Sequence, residues 1–248
     1  MFSLSYNLFH IITHSYQQIT KKVVFLQLMR YKHIIFDFDG TIADTSSIIH
    51  ATMQATMRER GLHVATPDTI NRVIGLPLKD CFTHIYPDMS EMEALECAST
   101  YCDIFDANKS SLTPTLFPHV AETLAMLNQN GITMSVASSR GYGSLIELLE
   151  MMKVRHYFAL VVGVDNVDKA KPDPEAVLYI IKAMKVDAND VLMVGDMPVD
   201  IAMGQNAGTR TCAVTYGNSS KEELEKTRPD YLIDRMDQLI GCSELASS

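Results

Sequence analysis

A short apolar run that ends in two carboxylates is the feature that most narrows what this chain can fold into. Residues 33–41 read HIIFDFDGT, so Asp37 and Asp39 follow the run directly. A run of this length without polar alternation is typical of a parallel strand that is buried on both faces. The two carboxylates would then lie at the carboxyl end of the strand, where open α/β sheets hold their ligands. Gly40 is the residue type that lets the backbone approach a ligand closely.

The Asp-x-Asp pair indicates a site only in combination with other polar groups, because the same pattern is commonly a solvated turn. Ser138, Lys171 and Asp196 each follow a further apolar run, and Asp200 lies in the first turn of a predicted helix. Taken singly, these residues are a turn hydroxyl, a solvated lysine and two ordinary acids near a helix start. Together with the first pair they bring four carboxylates and one ammonium to one edge of a sheet. Such a cluster favours a divalent cation held by oxygen ligands, and Mg²⁺ suits that ligand set.

Helical and strand-like segments alternate from residue 118 onward, which predicts an α/β fold with a Rossmann-like parallel sheet and helices on both faces. The predicted strands after the first cover residues 132–137, 159–162, 191–194, 211–214 and 231–233. The predicted helices cover about 119–130, 142–152, 174–185 and 199–206, and a capping box at 220–223 predicts one more.

The segment between the first strand and the rest of the sheet has a different character. Residues 46–112 contain short helical stretches and no strand-like run, which predicts an inserted helical cap, with 30–45 and 113–248 forming the α/β core. A capping box at 90–93 predicts a long helix in this insertion. We expect one side of that helix to carry the apolar residues Met92, Leu95, Tyr101, Cys102 and Phe105. Residues 1–29 lack acidic residues and fit neither a signal nor a transit peptide, so a poorly ordered extension is predicted.

Composition excludes several classes of protein. The net charge of −9 argues against a nucleic-acid-binding surface, and no apolar run approaches the length of a membrane span. The five cysteines include no C-x-x-C pair, which favours free thiols in a cytoplasmic protein. The eight histidines lack the spacing of a zinc site. We expect a cytoplasmic monomer or homodimer with no membrane or nucleic-acid partner.

The polar segments together resemble the four motifs of the haloacid dehalogenase superfamily of phosphotransferases. The matching segments are 37–41, Ser138, 171–174 and 195–200, in the order found in that superfamily, and the resemblance extends over about residues 31–240. The insertion resembles the α-helical cap of the first type. Residues 206–231 are similar to phosphoglycolate phosphatase-like members. His119 departs from the glycine that relatives often have, and we expect it to affect a hinge or loop.

The resemblance implies a role for each core residue. Asp37 would be the nucleophile that forms an aspartyl-phosphate, and Asp39 would protonate the leaving oxygen and then activate water. Mg²⁺ would be held by Asp37, the Asp39 carbonyl and Asp196, with Asp200 acting through a bound water.

Phosphate-binding roles follow from the same resemblance, and they fall on the first two motifs and the lysine. The predicted phosphate-binding residues are Phe38, Gly40, Thr41, Ser138, Ser139 and Lys171. Phe38 and Gly40 would contribute backbone N–H groups. In the cap, Gly75 and Lys79 are candidates for substrate specificity.

The resemblance implies Mg²⁺-dependent hydrolysis of small phosphomonoesters, so the expected partner is a small phosphorylated metabolite. Phosphoglycolate is the leading substrate candidate. The alternatives are a phosphomutase that resembles β-phosphoglucomutase, a pyrophosphatase or nucleotide phosphatase of the same superfamily, and a catalytically silent binding protein. A dehalogenase is disfavoured, because such relatives lack the second aspartate and Asp39 is present.

Overall fold

A six-stranded parallel sheet forms the centre of the computed structural model, which describes residues 31–108 and 114–241. The prediction for residues 1–29 therefore lies outside the described residues. The bounds of the six strands are His33–Phe36 (β1), Thr133–Ala137 (β4), Leu160–Val162 (β5), Val191–Gly195 (β6), Arg210–Val214 (β7) and Tyr231–Ile233 (β8), and the labels β2 and β3 belong to a separate two-stranded ribbon described below. The order across the sheet is β5-β4-β1-β6-β7-β8. The predicted α/β class with a parallel sheet is confirmed.

The central strand β1 is buried on both faces, which explains its unbroken apolar sequence. Ile34 and Phe36 pack in the large core on one face, whereas Ile35 packs in a second core on the other. From β1 the chain crosses first to β4 on one side and later to β6 on the other. The carboxyl end of β1 is therefore the switch point of the topology, where α/β sheets open a crevice for ligands.

Helices cover both faces of the sheet. Their bounds are Val120–Gln129 (α5), Tyr142–Met151 (α6), Glu175–Met184 (α7), Pro198–Asn206 (α8) and Lys221–Lys226 (α9). Leu124 of α5 and Leu148 of α6 belong to the core of Ile34, and Val177 of α7 and Met203 of α8 belong to that of Ile35. Short 3₁₀ turns occupy Arg155–Tyr157, Val164–Asn166, Ala188–Asp190 and Met236–Gly241. Among the described helices, none is long and apolar enough to cross a membrane.

His119 precedes α5 with a φ of 68°, in the left-handed region. This conformation is reached without steric cost only by glycine. The backbone here thus has the shape that a glycine would favour, and this chain holds it with a histidine.

The segment of chain that connects β1 to β4 forms a layer of four helices. Their bounds are Ser46–Glu59 (α1), Pro67–Asn71 (α2), Leu78–Ile85 (α3) and Glu91–Asn108 (α4). The chain enters and leaves this layer through a ribbon of two short antiparallel strands, β2 (Ala43–Asp44) and β3 (Thr115–Leu116), which the sequence did not predict. The helical character predicted for the insertion matches the described residues, while its division from the core as a domain stays a prediction.

The face of α4 that packs inward differs from the predicted one. The capping box is present, since the Glu93 side chain accepts from the Ser90 N–H at 2.9 Å. The buried positions advance by three or four residues, as an α-helical stripe should, through Ala94, Cys97, Tyr101 and Phe105. The prediction was wrong for two apolar residues that this register turns outward, namely Met92 (72% exposed) and Leu95 (54% exposed). Cys102 is also exposed, but it lines a cavity that is described below.

Candidate active site

A buried lysine joins two of the predicted aspartates at the carboxyl edge of the sheet. Lys171 Nζ donates to Asp37 Oδ1 at 2.5 Å and to Asp200 Oδ1 at 2.7 Å. Lys171 reaches them from the loop after β5, next to a cis peptide bond with Pro172. All three charged side chains are less than 10% exposed. The sequence prediction that these residues converge is therefore met by the geometry.

Asp196, at the end of β6, is fully buried and held by donors from two loops. Its Oδ1 accepts from the Thr41 hydroxyl at 3.1 Å. Its Oδ2 accepts from the backbone N–H of Asn218 at 2.7 Å and from the side-chain amide at 3.0 Å. Gly40 has a φ of 92°, and a Cβ there would stand 2.1 Å from Asp196 Oδ2. Position 40 therefore needs glycine because any larger side chain would collide with the Asp196 carboxylate. Asn218 was missed by sequence reasoning, which singled out no residue in that loop.

Burial dominates the electrostatics of this cluster. It raises the pKa of Asp37 well above its usual value, although Lys171 opposes the shift. Burial, reinforced by the nearby Asp200, raises the pKa of Asp196 to about 7. Burial disfavours the charge of Lys171, but the two aspartates outweigh it and the lysine pKa is raised. The neighbouring aspartates add to the effect of burial at both carboxyl groups, because one ammonium does not neutralise the excess of negative charge.

The donor atoms of Asp37, Asp196 and Asp200 fit a metal ion. One oxygen from each lies within 4.8 Å of the others, and all three residues are buried. Oxygen donors without histidine or cysteine suit a hard divalent cation such as Mg²⁺, whose charge would offset the excess described above.

Asp39 is held by an arginine that sequence reasoning missed. Arg140 donates to Asp39 Oδ1 at 2.7 Å and to Oδ2 at 3.1 Å, and Thr45 donates to Oδ1 at 2.6 Å. The guanidinium centre also lies 6.0 Å from the Phe38 ring and 5.4 Å from the Phe105 ring. Burial opposes the charge on Arg140, but Asp39 outweighs it and the arginine pKa is raised. The one available signal was its place directly after the serines that end β4.

Ser138 and Ser139 lie beside a cavity, but their hydroxyls are used differently. Ser138 Oγ accepts from the Arg140 N–H at 3.2 Å. Its own O–H has no acceptor among the described residues and can donate to a ligand in the cavity. Ser139 Oγ donates to the Gly75 carbonyl at 2.6 Å. This bond joins the loop after β4 to the helical layer.

Four of the predicted phosphate-binding residues do not line the cavity, namely Phe38, Gly40, Thr41 and Lys171. The Gly40 N–H donates to the Ala43 carbonyl at 2.9 Å, and the Thr41 hydroxyl is bonded to Asp196. The Phe38 side chain is fully buried in the core. Gly40 and Thr41 therefore shape the cluster around Asp196, and the geometry does not offer these two donors to a phosphate.

A cavity of about 670 Å³ separates the helical layer from the sheet edge. Asp37, Asp39, Ser138 and Arg140 line it from the sheet side. Gly75, with a φ of 96°, lines it from the helical layer. The lining side chains that come from the helical layer are mostly apolar.

Lys79, the second residue predicted to set specificity, is not brought to the cavity. Its ammonium donates to Glu91 at 2.7 Å on the outer surface of the helical layer. The lysine is therefore occupied by a solvent-facing ion pair and does not line the cavity.

Comparisons with known proteins agree with this geometry. The family model described as haloacid dehalogenase-like hydrolase matches residues 34–214. The chain is 34% identical to "Probable phosphatase IndB" of Dickeya dadantii, over 85% of this chain and 92% of the relative. It is 30% identical to the pyrophosphatase PpaX of Oceanobacillus iheyensis (86% and 96% covered). It is 28% identical to phosphoglycolate phosphatase 1 of Pseudomonas aeruginosa (86% and 80% covered).

A solved structure has the same fold. A haloacid dehalogenase-like hydrolase from Bacteroides fragilis superposes with a TM-score of 0.79 at 28% identity, covering 84% of this chain and 99% of the other.

Proposed function

Because this chain belongs to the haloacid dehalogenase-like hydrolase family and is a phosphatase by the same comparisons, we propose that it hydrolyses small phosphomonoesters through a phosphoryl group carried on Asp37. The observation that carries the proposal is the hydrogen bonding of the two Asp37 carboxylate oxygens. Lys171 holds Oδ1, while among the described residues no group donates to Oδ2, and Asp37 lines the cavity. An oriented carboxylate with one oxygen left open is suited to in-line attack on phosphorus.

The proposed reaction has two displacements. An Asp37 oxygen forms a bond to phosphorus as the bond to the leaving oxygen breaks, and Asp39 gives that oxygen its proton. Asp39 then takes a proton from water, which attacks the phosphorus, releases phosphate and restores Asp37. Arg140 and Thr45 hold the carboxylate form of Asp39, which is the form that takes the proton from water.

The remaining groups stabilise charge. Ser138 donates its hydroxyl to a phosphoryl oxygen, and Lys171 balances the charge on Asp37. Mg²⁺ would be held by Asp37, Asp196 and Asp200, and when bound it would neutralise charge on the phosphoryl group. Three buried carboxylates around one ammonium support this assignment.

The substrate candidates come from the sequence and from the names of relatives. Phosphoglycolate is the leading candidate of the sequence analysis, and one relative is named as a phosphoglycolate phosphatase. Another is named as a pyrophosphatase, which supports pyrophosphate as a second candidate. A cytoplasmic location and a monomeric or homodimeric state stay predictions.

The test is phosphate release by the purified full chain, with Mg²⁺ or with a chelator, from phosphoglycolate, hexose phosphates, nucleotides and pyrophosphate. Asp37→Asn should lower the rate by about 10³-fold or more, since it removes the nucleophile. Asp44→Asn is the matched control, because Asp44 is exposed on β2 and should be replaceable without loss. An Asp37→Asn variant with the unaltered rate would refute the assignment, and a chelator without effect would refute the role of Mg²⁺.

A further inference from the structure

The part of the cavity that faces away from Asp37 is apolar. Its lining from the helical layer includes Met53, Ile70, Val73, Ile74, Leu76 and Phe105. At about 670 Å³ the cavity falls in the range that encloses ligands much larger than glycolate. Burying apolar atoms of a ligand there contributes to binding in proportion to the area removed from water.

The charges around the cavity disfavour an anionic leaving group. Its described lining has four carboxylates, from Asp37, Asp39, Asp106 and Glu147, and a single cation, Arg140. Arg140 is already bonded to both oxygens of Asp39, and it donates to Ser144 at 3.2 Å. A carboxylate or a second phosphate on the leaving group would therefore meet no uncommitted cation among the described lining residues. Desolvating such a charge without a partner is costly.

The described cations of the helical layer do not line the cavity. Lys79 pairs with Glu91, and Arg60 pairs with Glu96. Arg58 and Arg72 are likewise absent from the cavity lining.

One polar side chain stands within the apolar part of the lining. Tyr101 is 8% exposed and its ring stacks on Phe105, with centroids 6.5 Å apart. No hydrogen bond from its hydroxyl is found within the described part of the chain, and the residue lines the cavity. Burial raises the pKa of Tyr101, which keeps this hydroxyl a neutral donor. The hydroxyl of a largely buried tyrosine ordinarily finds a partner, so a ligand in the cavity is expected to supply one.

We propose that the substrate of this site is the phosphate monoester of an uncharged, largely apolar alcohol that carries one hydroxyl or carbonyl group for Tyr101. The proposal rests on the phosphatase function proposed above and specifies its substrate class. It predicts that phosphoglycolate and pyrophosphate, whose leaving groups are anionic, are poor substrates.

The first experiment compares kcat/KM for benzyl phosphate, para-carboxybenzyl phosphate and phosphoglycolate, with Mg²⁺ present. The two benzyl esters have similar leaving oxygens and differ in one carboxylate. Benzyl phosphate should be preferred over each anionic ester by about tenfold or more. A preference for phosphoglycolate or for the carboxybenzyl ester would overturn the proposal and leave the phosphatase function standing. No release of phosphate from any ester would instead refute the phosphatase function itself.

A pair of charge-insertion variants tests the lining. Leu76→Arg places a cation in the cavity wall, and it should raise the ratio of para-carboxybenzyl to benzyl phosphate turnover by about tenfold. Leu95→Arg makes the same change on the exposed side of α4 and should leave that ratio unaltered. Circular dichroism checks that both variants are folded. Equal ratios in the two variants would show that the cavity does not hold the leaving group.

The hydroxyl of Tyr101 is tested with the hydroxymethyl isomers of benzyl phosphate. At least one isomer should exceed benzyl phosphate in kcat/KM by about tenfold, because a hydrogen bond to an otherwise unpaired buried group is gained. In Tyr101→Phe the ratio of that isomer to benzyl phosphate should fall to about one, mainly through KM. A ratio that Tyr101→Phe does not alter would remove Tyr101 from the substrate site.

Discussion

Replacing Gly40 by alanine gives a sharp test of how the cluster around Asp196 is built. Gly40 has a φ of 92°, and a Cβ there would lie 2.1 Å from Asp196 Oδ2 and 2.2 Å from Asn218 Nδ2. Gly61 offers a matched control, because its φ is 68° and a Cβ there would meet nothing within 4 Å. Both substitutions carry the backbone cost of an alanine at positive φ, and only one of them adds a steric clash.

The expected magnitudes follow from these contacts. An alanine in the left-handed region costs about 1–2 kcal/mol, so Gly61→Ala should lose about that much unfolding free energy. The Cβ of Gly40→Ala must also push aside Asp196 Oδ2, which accepts two bonds from Asn218. Hydrogen bonds to charged groups contribute about 1.5–3 kcal/mol each, so Gly40→Ala should be the less stable of the two by about 3 kcal/mol or more.

Two measurements on the same pair separate stability from function. Urea unfolding gives the difference in unfolding free energy, and a Mg²⁺ titration of phosphatase activity reports on the position of Asp196. Gly40→Ala should need about tenfold more Mg²⁺ for half-maximal activity, whereas Gly61→Ala should match the original chain. If both variants lose the same unfolding free energy and reach half-maximal activity at the same Mg²⁺ concentration, the close approach of Gly40 to Asp196 does not position Asp196 for the metal.

Three further predictions concern single side chains. Arg140→Lys should lower kcat by about 10–100-fold with the Mg²⁺ requirement unaltered, because a lysine cannot hold both oxygens of Asp39. An unaltered kcat in steady-state assays would count against this role of Arg140. Burial lowers the pKa of His33 to about 4, so the unfolded chain takes up a proton that the folded one refuses. Stability should therefore fall by roughly 3 kcal/mol as the pH drops from about 6.5 towards 4, and His33→Gln should remove that part of the slope in urea unfolding; an equal slope in both proteins would contradict the assignment. Thr123→Val should stabilise the fold by about 1 kcal/mol in thermal or urea unfolding, since the buried Thr123 hydroxyl has no partner among the described residues; a loss of stability would contradict that.

Local signals in the sequence predicted the elements of the sheet well. The strand at Tyr231–Ile233 has the predicted bounds, and β1 has the burial on both faces that its unbroken apolar run indicated. The capping box before α9 forms as expected, with the Ser220 N–H donating to Glu223 at 3.0 Å. Such features depend on neighbouring residues, which is why a single sequence suffices for them.

Features that depend on distant partners were not predictable in the same way. The β2–β3 ribbon pairs Asp44 with Thr115, and strands of two residues leave no periodic pattern. The inward face of α4 is chosen by the helices it packs against, so Met92 could not be excluded from it by its apolar character.

In the candidate site too, residues marked by a local sequence pattern were predicted, and residues defined by distant partners were not. Asp37, Asp39 and Asp196 were found because they follow apolar runs, and Asp200 because it lies in the first turn of the helix after Asp196. Arg140 and Asn218 were missed because their partners lie 101 and 22 residues away and neither residue belongs to a run of its own. Gly40 was expected to make room for a ligand, yet the group that needs the room is the carboxylate of Asp196.

The two-stranded ribbon also bears on how such a protein can change during evolution. Ala43–Asp44 and Thr115–Leu116 bring the start and the end of the helical layer side by side, so the layer is spliced into the sheet at a single place. The proposed nucleophile Asp37, Lys171 and the acidic cluster all lie on the sheet side of that junction. A single recombination event at the ribbon can therefore exchange the helical layer and change which substrates the cavity accepts. The residues at the sheet edge that are proposed to cleave the phosphate ester would be inherited unchanged.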